Sequence, residues 1–320
     1  MDNDGCENSL KQPAGNGVWF VYGSLKPGEL GYRQIKEFIE TYEKAKLKGY
    51  GLLIRDGLPG LEERTGGIVD GYNLYAKLGQ ESELASFIEQ FEDPSLYEVC
   101  EVKVTNDSGA DVQAASNFLK YIRNGNPEPI QSSTWSICDD PLFRHGLPSL
   151  YTTAHESEAF NGFAGDMPSF WHNYLPVMGT FLNLWTVMER YVAFAQPGVK
   201  SVRSSKTPCS TAPTMSAHLK ALRDSDEGVK AMESVVTTPD RTVWRTNKVK
   251  RAVRSRVLTE VWYQVRNNSA HRGKSAAKDY NLVRNCALGL SEFLVALLSQ
   301  EVNGLEHLED LLTTSHPTEY

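Results

Sequence analysis

The sequence has no paired cysteine spacing, no basic leader, and no apolar run approaching the ~18 residues that cross a bilayer. Its five cysteines (Cys6, Cys100, Cys138, Cys209 and Cys286) are odd in number, scattered, and never in CxxC or CxxH spacing. That argues against a disulfide framework and a zinc site, and leads us to expect reduced thiols in a cytoplasmic protein that holds no metal. The first residues, MDNDGCENSLKQPAGNG, are acidic and polar rather than basic and apolar. They lack the regions of a secretory signal, and residues 1–16 read as a flexible tail. No membrane partner is expected, and no internal repeat is visible.

What is present points to two folded units. A length of 320 residues exceeds what one hydrophobic core usually organises. The composition, 40% hydrophobic and 23% charged, is that of a globular protein. The net charge of −7 conceals an asymmetry: residues 1–160 carry 14 Lys+Arg against 25 Asp+Glu, and the rest carry 19 against 15. Within 241–285 there are 12 basic residues against Glu260 and Asp279 alone. Halves of opposite sign suggest a different partner for each, although the two could also dock on one another.

The first half mixes short strands with few helices. VWFVY (18–22) reads as a buried strand, followed by the turn GSLKPGE and a helical pattern over YRQIKEFIETYEKA. Strands are expected in KGYGLLI, GIVDGYNLYA, YEVCEVKV and NFLKYI. In ESELASFIEQFED, Leu84, Phe87, Ile88 and Phe91 fall at i, i+3, i+4 and i+7, one face of a helix. The expected fold is therefore α+β, a small mixed or antiparallel β-barrel over 17–155. A linker at 156–169 leads to an all-helical region at 170–315 with a loop-rich insertion at 197–240. Its helices are read in FWHNYLPVMGTFLNLWTVMERYVAFA, more weakly in 216–235, in the basic TVWRTNKVKRAVRSRVLTEVWYQVRN, and in KDYNLVRNCALGLSEFLVALLSQ. Pro176 is expected to kink the first of these or mark its start.

Two constellations carry chemistry. The order strand, YGSL, helix would put Gly23 and Ser24 at a helix N-terminus, where free N–H groups favour an anionic ligand group. Glu92 closes the amphipathic helix beside Phe91, where burial would raise its pKa towards that of a general base. These features, with the following PSLY, resemble the γ-glutamylcyclotransferase-like family over roughly 17–150, including the turn-like DGLPGL (56–61). The resemblance implies a substrate loop of Tyr22, Gly23, Ser24 and Leu25 that holds the α-carboxylate of a γ-glutamyl small molecule. It implies Glu92 as the base for ring closure to 5-oxoproline, with no cofactor.

In the second half, Arg266, Asn267 and His271 end a basic helix within the positive stretch. His271 could move a proton at a ribose 2′-OH or leaving group, Arg266 could stabilise phosphate charge, and Asn267 could orient either. Flanked by long helices, with Met188-Glu189 on the first, this motif resembles that of HEPN domains over about 170–300. The resemblance implies a homodimer with a composite, metal-independent ribonuclease site and RNA as partner. The whole chain then reads as an RNA-cleaving effector, of toxin or antiviral-defence type, fused to a γ-glutamylcyclotransferase-like domain. The alternative is a γ-glutamylamine cyclotransferase whose helical half only dimerises or binds.

Overall fold

The computed structural model describes residues 17–55, 58–92, 96–120, 128–162, 167–195, 215–238, 258–272 and 279–300. The chain parts into two compact units between Asp140 and Pro141.

The first unit is a small mixed barrel. Its strands are β1 (Val18–Val21), β2 (Ile39–Arg55), β3 (Leu58–Ala76), β4 (Tyr97–Asn106), β5 (Asp111–Leu119) and the short β6 (Glu128–Pro129). They run in the order β3-β1-β5-β4-β2-β6, and a β2–β3 pairing closes the ring. All pairs are antiparallel except β1–β5, where Trp19 lies opposite Ala115. β1 is buried on both faces, which is why its sequence is a continuous apolar run. In β2 and β3 the register slips between Lys48 and Tyr50, at Gly49 with φ +84°. Across that bulge Gly67 is required, because a Cβ there would stand 2.4 Å from the Tyr50 carbonyl oxygen.

Trp19, Val21, Leu74 and Ala115 face helix α2 (Glu81–Phe91) and pack on its Leu84, Ala85 and Ile88. The predicted i, i+3, i+4, i+7 face is thus the one that meets the sheet. Phe20 has the opposite parity and lies against Gly71, where a Cβ would come within 2.7 Å of its ring.

The helix expected over YRQIKEFIETYEKA is largely absent. Only α1 (Tyr32–Ile35) and a 3-10 turn, Lys36–Phe38, form before β2 begins at Ile39. Pairing of Thr41 with Tyr75 and Tyr42 with Leu74 recruits the rest of the segment into the sheet. Of DGLPGL, residues 56 and 57 lie outside the described residues, and Leu58–Leu61 are strand rather than turn.

The second unit begins earlier than the boundary placed at 155. A π-helical turn, Leu142–Gly146, runs into α3 (Leu147–Glu156), with Pro148 in the first turn, where it needs no N–H partner. α3 packs on α4 (Met167–Ala195) and on α8 (Tyr280–Leu298). Residues expected to be linker are fastened as well, since Tyr280 Oη donates to the Ala159 carbonyl and Arg284 Nε to that of Phe160. α4 starts well before Pro176, which therefore does not mark its beginning.

Part of the expected loop-rich insertion is helical: α5 (Met215–Asp224) and α6 (Asp226–Glu233), separated by Ser225, whose Oγ caps Gly228 N–H at 3.1 Å. Residues 197–214 and 239–240 of the insertion, and residues 242–257 of the basic segment, lie outside the described residues. α7 covers Leu258–Arg272. α8 is, contrary to the sequence reading, long and apolar enough to cross a membrane. It is also the central helix of this unit, with Val283, Cys286, Leu290, Phe293, Leu294 and Leu297 buried.

Candidate active site

The strand-to-turn junction after β1 places Tyr22, Gly23, Ser24 and Leu25. The turn is closed by Lys26 N–H to the Gly23 carbonyl at 3.1 Å, Glu29 N–H to Lys26 at 2.9 Å, and Tyr32 N–H to Ser24 at 3.2 Å. None of these bonds uses the N–H groups of Gly23, Ser24 or Leu25. The following helix is a single turn capped by Gly31, so the expected placement of Gly23 and Ser24 at a helix N-terminus does not occur. What the turn offers an anion is backbone N–H groups rather than a helix dipole. Gly31 allows the close return of the chain, since a Cβ there would stand 2.8 Å from the Ser24 carbonyl oxygen.

The turn is anchored from behind. Lys26 is buried and donates through Nζ to Thr134 Oγ1 at 2.8 Å and to the Trp135 carbonyl. Glu29, also buried, accepts from Ile137 N–H at 3.2 Å. Burial lowers the Lys26 pKa, and the charges of Glu29, Asp139 and Asp70 oppose that effect.

In front of the turn lies a small, partly open cavity. One wall is the end of β1 and the turn (Phe20, Val21, Tyr22, Gly23, Leu25). Pro59, Tyr97 and Asn117 complete it from β3, β4 and β5, and Glu92 enters at the C-terminal cap of α2. The Glu92 N–H bonds the Ile88 carbonyl at 3.0 Å, fixing the residue as the last link of the helix. Although the residue is partly exposed as a whole, its carboxyl group is enclosed, and burial pushes its pKa up to about 7. Tyr22 donates to the Asn117 carbonyl at 2.7 Å, and Tyr97 to that of Pro59 at 2.8 Å. Burial, then the charges of Tyr97 and Glu92, hold the Tyr22 phenol well above its usual pKa, so it stays neutral.

The cavity therefore gathers Tyr22, Gly23, Leu25 and Glu92 from the residues singled out in the sequence, while Ser24 is buried in the turn without lining the cavity. Tyr97 and Asn117 were not singled out. Tyr97 is the tyrosine of PSLY, and Asn117 is a polar residue in the buried stretch AASN of β5. The tyrosine of PSLY was an available signal, whereas an asparagine in such a stretch carries none of its own.

In the helical unit, Arg266 pairs with Glu189 of α4 at 3.3 Å and donates to Asn267 Oδ1 at 3.3 Å. Glu189 also accepts from Trp185 Nε1 at 2.7 Å. α7 continues as helix through Arg272, so positions 266 and 271 differ by about 140° around its axis. The tightened last turn that would bring them together does not form, and the His271 side chain lies outside the described residues. Among the described residues no group of three His, Cys, Asp or Glu could hold a metal.

Solved structures resemble part of the chain. YkqA from Bacillus subtilis is 22% identical over 37% of this chain, which spans 39% of that protein, with a TM-score of 0.29. A structure described as a gamma-glutamyl cyclotransferase is 22% identical over 36% of this chain and 71% of its own, with a TM-score of 0.27. An uncharacterized protein from Homo sapiens gives 22%, 36%, 71% and 0.28 in the same terms. No curated protein matches the sequence. The family described as gamma-glutamyl cyclotransferase, AIG2-like, matches residues 19–137, and the barrel unit is accordingly a domain of that family.

Proposed function

We propose that the barrel unit is a γ-glutamylamine cyclotransferase. The observation that carries this reading is an enclosed carboxyl with a pKa of about 7, Glu92, facing the same cavity as the Tyr22–Leu25 turn. The unspent N–H groups of the turn receive the substrate α-carboxylate, leaving the α-ammonium towards Glu92. Ionised Glu92 takes one proton from that ammonium. The freed nitrogen lone pair attacks the γ-carbonyl carbon, forming the ring C–N bond. The ring nitrogen, still carrying one proton too many, releases it to water, and collapse of the tetrahedral adduct breaks the bond to the leaving nitrogen, which takes up the proton that Glu92 returns. The products are 5-oxoproline and a free amine, and the carboxylate is regenerated. Because nucleophile and electrophile belong to one molecule, holding the chain folded supplies much of the acceleration and a single base suffices. Incubating the protein with γ-glutamyl amides of an amino acid, of the lysine side chain and of a simple alkylamine, and measuring 5-oxoproline, tests the reading. Release from at least one is expected, and release from none contradicts it.

A second reading concerns the helical unit: metal-independent ribonuclease activity through Arg266, Asn267 and His271 of paired protomers. The Glu189–Arg266–Asn267 network favours it, because it holds a guanidinium beside an amide near the end of a helix. The wide angular separation of positions 266 and 271 fits a site completed across two copies better than one built on a single helix. RNA cleavage in chelator-treated buffer should be lost in both Arg266→Ala and His271→Ala proteins. Cleavage by both at the parent rate removes the reading.

A further inference from the structure

Asn117 is 7% exposed, towards the end of β5, where it lies opposite Val99 of β4. Its carbonyl is taken by the Tyr22 hydroxyl. No hydrogen bond of its side-chain amide is seen among the described residues, nor is the amide one of the side-chain groups sealed from solvent without a partner, and the residue lines the cavity that holds Glu92. An amide open to the cavity is met there by water, or by a ligand that replaces the water. The neighbouring side-chain donors are already committed, Tyr22 to the Asn117 carbonyl and Tyr97 to that of Pro59. The Asn117 NH2 is thus a side-chain donor that the cavity wall keeps unspent.

We propose that the Asn117 amide recognises the γ-carbonyl of the bound γ-glutamyl chain, donating to its oxygen and strengthening that bond as negative charge grows there during ring closure. The proposal rests on the cyclotransferase reading, which supplies a carbonyl that becomes an oxyanion. The assignment follows from the division of donors. The backbone N–H groups of the turn suit a carboxylate, Glu92 is an acceptor, and a neutral amide suits a carbonyl oxygen whose charge rises in the transition state. It also makes Asn117 a determinant of substrate class. The ligand must carry a carbonyl at the distance of a γ-glutamyl group from its α-carboxylate, so a β-aspartyl amide, one methylene shorter, should be a poor substrate.

The test compares the parent with Asn117→Ala and the similarly sized Asn117→Asp in the full-length chain. The melting temperature of Asn117→Ala should stay close to the parent, because no internal side-chain bond is removed, whereas Asn117→Asp adds a second carboxyl to the Glu92 cavity and should melt lower. Both variants should lose about 10²–10³-fold in kcat for 5-oxoproline release, with KM changed by less than about threefold. Parent-like kcat in Asn117→Ala, or a loss confined to KM, overturns the assignment. Calorimetric binding of 5-oxoproline separates this failure from failure of the cyclotransferase reading, since its lactam oxygen is the former γ-carbonyl oxygen. If the parent shows no turnover, that reading falls. The recognition role then holds only if the parent binds 5-oxoproline and Asn117→Ala binds it at least about tenfold more weakly. Equal binding, or none by the parent, refutes it.

Discussion

A Glu92→Gln protein is expected to release 5-oxoproline about 10²–10⁴-fold more slowly than the parent, the range that a positioned general base supplies. The same substitution should make the protein more stable at alkaline pH. In the folded state burial raises the Glu92 pKa from 4.5 to about 7, whereas the unfolded chain ionises near 4.5. The stability linked to the protonated carboxyl is therefore complete below pH ~4.5. It is lost progressively as pH rises to about 7, and above that the enclosed carboxylate carries its full desolvation cost. Glutamine never ionises. The variant should match the parent at pH 4 and exceed it at pH 8 by roughly 1–3 kcal/mol, read by denaturant unfolding. Loss of activity with gain of stability would show that the fold bears a cost to hold this base. A variant less stable than the parent at pH 8 would mean that Glu92 is a structural acceptor instead.

A Lys26→Met protein should lose more stability than any surface substitution. Lys26 is 6% exposed, and its ammonium holds Thr134 Oγ1 and the Trp135 carbonyl, with buried Glu29 nearby. Methionine fills the volume but leaves these acceptors without their donor and removes positive charge next to a buried carboxylate. Breaking such an arrangement costs about 3–5 kcal/mol, which corresponds to a melting temperature lower by roughly 10–20 °C for a unit of this size. Because Lys26 and Glu29 fasten the turn that carries Gly23–Leu25, the surviving folded fraction should also show a raised KM. Thermal unfolding followed by near-UV circular dichroism checks the first effect and steady-state kinetics the second. A midpoint within about 2 °C of the parent would show that the turn does not depend on this anchor.

The site was legible where local pattern and tertiary structure agree. The apolar run before GSLKPGE became β1 and its turn, and the spacing of Leu84, Phe87, Ile88 and Phe91 became the buried face of α2, which delivers Glu92. It was illegible where pairing overrode periodicity. Ile35, Phe38, Ile39 and Tyr42 also fall at i, i+3, i+4 and i+7, yet from Ile39 onward the chain is strand, because β3 provides a continuous antiparallel partner. The helix after Gly146 was missed because Pro148 reads as loop until it is seen in a first turn. Asn117 could not be singled out from sequence: nothing local distinguishes a buried asparagine that completes an internal network from one left open towards a cavity. In the helical unit the long apolar segments were visible, but the unbroken course of α7 through Arg272, which separates positions 266 and 271, was not.

The central claim is that Glu92, ionised, is the base of a ring-closing reaction in the barrel cavity. The most direct measurement is kcat/KM for 5-oxoproline release from a γ-glutamylamine between pH 5 and 8.5. The account predicts a tenfold rise per pH unit at the acid end, a bend at the folded-state pKa of about 7, and a plateau above it. A profile that stays flat across that range, or one that Glu92→Gln reproduces at the parent rate, would contradict it.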